Sequence, residues 1–174
     1  ENNWQKNRQD KDDDWEEKDN REKIQIAFRR QSKNNDYNHS KTFAYNELQG
    51  LTKEQVSGSN VAVKFQIVRE AGVIECDGNF NDDKGSGTWT FTPNKNFVQA
   101  MQSRGFSFND EKLLSAAIFD LTVNFVDDIR SAGFKNLETE DLFKAKIFNI
   151  NSVFMKEMAA TGFRNLEMED LVKA

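Results

Sequence analysis

Phe97-Val98-Gln99-Ala100-Met101-Gln102-Ser103-Arg104-Gly105-Phe106 governs the reading of this chain, because the pattern it sets returns twice. Its apolar and glycine positions, Phe97, Met101, Gly105 and Phe106, recur as Phe125, Ile129, Gly133 and Phe134, then as Phe154, Met158, Gly162 and Phe163. The steps from Phe97 to Phe125 to Phe154 are 28 and 29 residues, a period that belongs to stacked supersecondary units. The second half of the unit agrees as well, since Phe108, Leu113 and Ala116 match Leu137, Leu142 and Ala145, then Leu166, Leu171 and Ala174.

Each copy carries its own punctuation. Asn94, Thr122 and Asn151 stand three residues before the Phe and can cap a first turn. The Phe and the residue four further on share one helical face. Gly105, Gly133 and Gly162 fall where a left-handed C-terminal residue is wanted, with the next Phe as the apolar contact of that cap. Second helices follow over 110–119 and 139–148 and from Met168 onward. The unit is thus a helix, a Gly-Phe turn and a helix, repeated two and a half times over 93–174.

Working back from that region, the period changes from helical to two. Thr88–Thr92 is the last strand, with Trp89 and Phe91 inward, and Pro93 marks the passage from strand to helix. Ile74, Cys76, Gly78 and Phe80 alternate before it, as do Val61, Val63, Phe65 and Ile67, and Asn81–Gly85 supplies a hairpin loop in which Gly85 is the residue expected at positive φ. Ile24, Ile26 and Phe28 form a half-buried strand, 31–41 reads as a polar loop, and Thr42–Asn46 makes a short strand. Thr52 is placed to cap a helical turn. About five strands in sequence give an antiparallel meander over 24–92, so the fold class is α+β. Residues 1–23 hold nine acidic and six basic side chains against two tryptophans, which predicts a charged, solvated arm, with a first edge strand or short helix anchored by Trp4 or Trp15 as the alternative.

Composition narrows the function more by exclusion than by indication. The net charge is -5 with 24 basic and 29 acidic residues mixed along the chain, so no positive field collects a phosphate backbone and nucleic acid is not an expected partner. No run approaches the roughly 18 apolar residues of a membrane span, so no membrane insertion is expected. Glu1 in place of an initiator Met suits a mature protein after signal-peptide removal.

Chemical motifs are weak throughout, and neither a cofactor nor a metal is expected. Asp77-x-Asn79-x-Asn81 opens like a calcium loop but has Asp82 where glycine is needed and Thr88 where a bidentate Glu is needed, so it reads as a polar hairpin. Lys84-Gly85-Ser86-Gly87-Thr88 leads into a strand rather than a helix and lacks the phosphate-loop spacing. His39 is the sole histidine and lies in the polar stretch, and Cys76, the sole cysteine, shares strand parity with Ile74 and Phe80 and reads as core. The acids Glu138, Glu140, Asp141 and Glu167, Glu169, Asp170 gather at the starts of second helices, where the macrodipole favours them; regular stacking would align them as a stripe that a basic partner reads. The unfinished last unit should leave Leu171 partly exposed, which points to self-association.

The run Val63-x-Phe65-x-Ile67-x-Arg69-Glu70-Ala71-Gly72, then Gly78, Lys84-Gly85-Ser86-Gly87 and Phe91-Thr92-Pro93-Asn94, resembles a β-module of uncharacterised exported bacterial proteins. In that family the module precedes Gly-Phe helical repeats similar to those appended to sensor-type membrane metallopeptidases. The resemblance covers about 24–174 and implies an extracytoplasmic place, in the periplasm or cell envelope, with a protein-binding or sensing role. It carries no active site, and the His-Glu-x-x-His peptidase motif is absent from this sequence. Thr122-Val123 and Asn151-Ser152 depart from the family's usual Thr-Pro at the head of later repeats. A non-catalytic interaction module is therefore the first expectation. The alternative is a ligand carrier or hydrolase with a pocket between sheet and helices, drawing on Glu70, Glu75, Asp77 and Asp120.

Overall fold

The structure is a computed structural model that describes residues 1–6, 23–31, 36–133, 137–161 and 168. It is α+β, with a six-stranded antiparallel sheet followed by a run of helices. The strands are β1 Asn2–Lys6, β2 Lys23–Arg30, β3 Tyr37–Ala44, β4 Val61–Arg69, β5 Gly72–Asn81 and β6 Lys84–Pro93. A short helix α1, Lys53–Ser57, lies between β3 and β4, with a 3-10 turn at Tyr45–Glu47 before it. After the sheet come α2 Lys95–Gln102, α3 Asp110–Ile118, α4 Val123–Ser131, α5 Thr139–Ile147 and α6 Ser152–Ala160.

The sheet corrects the sequence reading in three places. It has six strands rather than five, and its order is β3-β2-β1-β6-β5-β4, so two three-stranded meanders are joined through β1 and β6 instead of one meander running through. The added strand is β1, in the centre of the sheet, where an arm is expected from composition; the rest of that stretch, 7–22, lies outside the described residues.

One side chain explains β1. Trp4 is 1% exposed, and its row across the sheet runs Phe28, Trp4, Gly87, Gly78 and Val63. A Cβ at Gly87 would lie 2.7 Å from the indole nitrogen and one at Gly78 2.6 Å from the indole ring, so those two glycines open the space the ring fills. The indole N–H donates to the Asp77 carbonyl at 3.3 Å, and the ring meets Phe65 edge-on at 5.3 Å. A single large aromatic that buries this much surface and satisfies its own donor holds a strand that composition alone would leave in water. Trp89 works from the other side, its indole N–H shared between the carbonyls of Asn3 and Arg29.

The second correction is β3, which starts at Tyr37 inside the stretch expected as loop. It is an edge strand whose inner face carries Tyr37, His39, Lys41 and Phe43, two of them polar, and this hides the period-two signal. Inward-pointing polar groups on an edge strand also discourage pairing with other chains. The third is the β5–β6 hairpin, where Asp82 (φ +48°) and Asp83 (φ +64°) take the left-handed positions of a two-residue turn, not Gly85. Gly85 is glycine for another reason, since a Cβ there would lie 2.3 Å from the Phe80 ring. The amides of Asp82 and Asp83 donate to the carbonyls of Gly58 and Val56 and so close the end of α1.

The helices cover the sheet's inner face. α3 is buried along Leu113–Ile118 and touches β3, β4, β5 and β6, so it serves as the core of the molecule. α2 packs on α4 and α4 on α6. All three cap positions read from sequence are filled: Asn94 Oδ1 accepts from Asn96 N–H, Thr122 Oγ1 from Phe125 N–H and Asn151 Oδ1 from Phe154 N–H. Gly105 (φ +85°) and Gly133 (φ +100°) occupy like backbone settings, and at the first the Phe106 amide reaches back to the Met101 carbonyl in the six-to-one bond of a left-handed helix stop. Asp120 (φ +56°) and Asn149 (φ +54°) end α3 and α5 in the same way, with Leu121 and Ile150 bonding back to Ala116 and Ala145. Among the described residues no helix is long and apolar enough to cross a membrane.

Candidate functional site

Charged groups that face inward are rare in a core this small, and they collect where the β3 and β4 edges approach each other. The chain leaving β3 crosses to β4 and pairs with it once, Gln49 with Gln66, through amide-carbonyl bonds of 2.9 and 2.8 Å. This brings Glu47, on the 3-10 turn, against Arg69 at the end of β4. Glu47 accepts from the Arg69 guanidinium with one oxygen and from the Ala44 amide, at 2.8 Å, with the other. Asp120 Oδ1 lies 3.5 Å from Arg69 Nε, an ion-pair distance without a hydrogen bond, and that Nε is buried. His39 closes the ring of contacts: its imidazole stands 4.5 Å from the Tyr37 ring and 5.5 Å, edge-on, from Phe119, the neighbour of Asp120.

Lys41 sits on the same face of β3 between His39 and Phe43, with its ammonium 5.2 Å over the Phe43 ring. Burial holds its pKa below the usual lysine value; Glu47 and Asp120 oppose that shift, while Arg69 and Lys146 add to it. Burial likewise lowers His39. Tyr37 moves the other way, its hydroxyl pushed up to about 12 by burial against the pull of a 3.2 Å hydrogen bond with Ser115. An ion pair of this kind, bridged by a backbone amide, fixes the register of the crossing segment; its net stabilisation is small because both charges lose water.

The carboxylates named from the sequence for a junction pocket do not converge. Glu70 Oε2 accepts from the Val123 amide at 3.1 Å and so caps the start of α4, and Asp120 belongs to Arg69. Glu75 and Asp77 lie on the opposite, outer face of the sheet, where Gln66 donates to Glu75 at 3.0 Å and Lys64 pairs with Asp77 at 2.9 Å. A shallow open groove of about 450 Å³ runs there over Gln66, Glu75, Asp77 and Thr88. Asn79 and Asn81 are tied to Ser59 and Asn60 instead of curling about an ion. Among the described residues no group of three His, Cys, Asp or Glu is placed to hold a metal ion. Cys76 is 3% exposed and burial pushes its thiol far up, which describes a core residue and not a nucleophile.

The described repeat positions differ in burial, with Gly105 and Gly133 exposed at their turns. Phe97, Met101, Phe106 and Ile129 are buried, while Phe125, Phe154 and Met158 are half-buried. Phe134, Gly162, Phe163, Glu167, Glu169, Asp170 and Leu171 lie outside the described residues. The three described acids have partners within the molecule: Glu140 pairs with Lys112 at 2.5 Å, Asp141 stands 3.6 Å from Lys144 and accepts from the Glu138 amide at 3.0 Å, and Glu138 caps α5.

What sequence reasoning did not single out is an apolar patch where α5 passes into α6. Ile147 and Phe148 are each 54% exposed and Val153 is 59% exposed. Their counterparts 29 residues earlier, Ile118 and Phe119, behave differently: Ile118 is fully buried and Phe119 packs on the core against His39. The signal for this was present in the spacing, since the pair Ile-Phe recurs in phase while the sheet that receives it does not. No protein-family model matches the chain, and no curated protein or solved structure matches it.

Proposed function

We propose that this chain is a non-catalytic protein-interaction or sensing module, working outside the cytoplasm, in which α2–α3, α4–α5 and α6 are successive copies of one two-helix unit leaning on the β-sheet. All three first helices start on a side-chain cap, and the first two copies share a left-handed glycine stop at Gly105 and Gly133 and an Asp or Asn stop at Asp120 and Asn149. The second and third copies also share a means of attachment: a carboxylate from outside the unit holds the first amide of its first helix, Glu70 of the β4–β5 turn on Val123 and Asp128 of α4 on Ser152. The extracytoplasmic place rests on the resemblance alone.

The observation that carries the reading is the contrast between the two Ile-Phe pairs. Burying a large apolar side chain is favourable by about 1.5–3 kcal/mol relative to leaving it in water. A unit that keeps the pair where its own sheet cannot cover it presents a ready docking surface for protein. A second copy of the chain is the first partner to test. What weighs against a junction pocket with carboxylate chemistry is that Glu70 and Asp120 are engaged in holding α4 and Arg69.

Sedimentation velocity on the wild type and on an Ile147→Ser, Phe148→Ser variant provides the test. The proposal expects concentration-dependent association that the variant loses with its circular dichroism unchanged. A wild type that stays monomeric at every attainable concentration overturns self-association. Equal capture of envelope proteins by wild type and variant overturns the docking face itself.

A further inference from the structure

We draw no further inference here: the strongest candidate, the Lys41–Glu47–Arg69–Asp120 cluster in the slot between β3 and β4, carries nothing because its guanidinium and both carboxylates are engaged with one another and only the titration of Lys41 is left to argue from.

Discussion

Replacing Trp4 with alanine should remove a large share of the protein's stability, although the residue is the fourth in the sequence, in a stretch that composition assigns to solvent. The side chain is 1% exposed, rests on Gly87 and Gly78, and contacts Phe65 and Phe80 at ring-centre distances of 5.3 and 5.4 Å. Truncating a buried aromatic costs about 3–5 kcal/mol, and the two glycines cannot collapse into the vacated space, so the upper half of that range applies. The indole N–H bond to the Asp77 carbonyl adds about 1 kcal/mol. A total of about 5 kcal/mol stands against a native stability of about 5–15 kcal/mol for a domain. Urea unfolding followed by far-ultraviolet circular dichroism is the assay. At a slope of about 2 kcal/mol per molar the midpoint falls by about 2.5 M. Gln5→Ala, on the exposed face of the same strand, is the control and should shift stability by less than about 0.5 kcal/mol. A Trp4→Ala midpoint within about 0.5 M of wild type, which corresponds to about 1 kcal/mol, would refute the placement of β1 at the centre of the sheet.

The other expectations concern the hairpin, the helix attachments and the core thiol. Asp82→Asn with Asp83→Gly puts the Asn-Gly pair that a two-residue left-handed turn prefers in place of two Asp residues and should raise the thermal midpoint by about 2–4 °C for about 1 kcal/mol gained; a fall would contradict the turn assignment. Hydrogen bonds from Arg104, Ser152 and Lys112 hold the carboxyls of Asp127, Asp128 and Glu140 below their ordinary values. A depressed folded-state value means stability that is present above the unfolded carboxylate range and lost as pH falls through the folded one. Amide exchange in α4–α6 should therefore accelerate relative to β4–β6 as pH falls through and below the ordinary carboxylate range, and exchange that loosens the sheet first would count against these attachments. Asp128→Ala should release α6 selectively, seen as lost protection in 152–160 with the sheet unchanged. Cys76 should react with a thiol reagent only as fast as the protein unfolds, whereas rapid labelling of the native state would place it outside the core.

The helical half was legible because its signals are local. A capping side chain, a glycine stop and an i,i+4 apolar pair are each decided within one turn of chain, and Asn94, Thr122, Asn151, Gly105 and Gly133 take the settings their spacing calls for. The sheet was legible where alternation is clean, in β4, β5 and β6. β1 escaped because one tryptophan in a charged run shows no period; the other half of its signal lies far away, in Gly78 and Gly87. The first part of β3, Tyr37–Lys41, escaped because an edge strand can carry His39 and Lys41 inward and still pair along its length, so only its end was read as a short strand over Thr42–Asn46. The apolar patch was missed for a different reason. A repeat predicts that Ile147 and Phe148 resemble Ile118 and Phe119, but only the third dimension shows that one pair has a sheet beneath it and the other does not.

A photo-crosslinking amino acid placed at position 148, with the same group at position 119 for comparison, tests the docking claim most directly. The account predicts that position 148 captures a second polypeptide, either another copy or an envelope protein, while position 119 yields only links within its own chain to β3. Intermolecular capture from 119 but not from 148, or none from either at concentrations where the protein is folded, would contradict it.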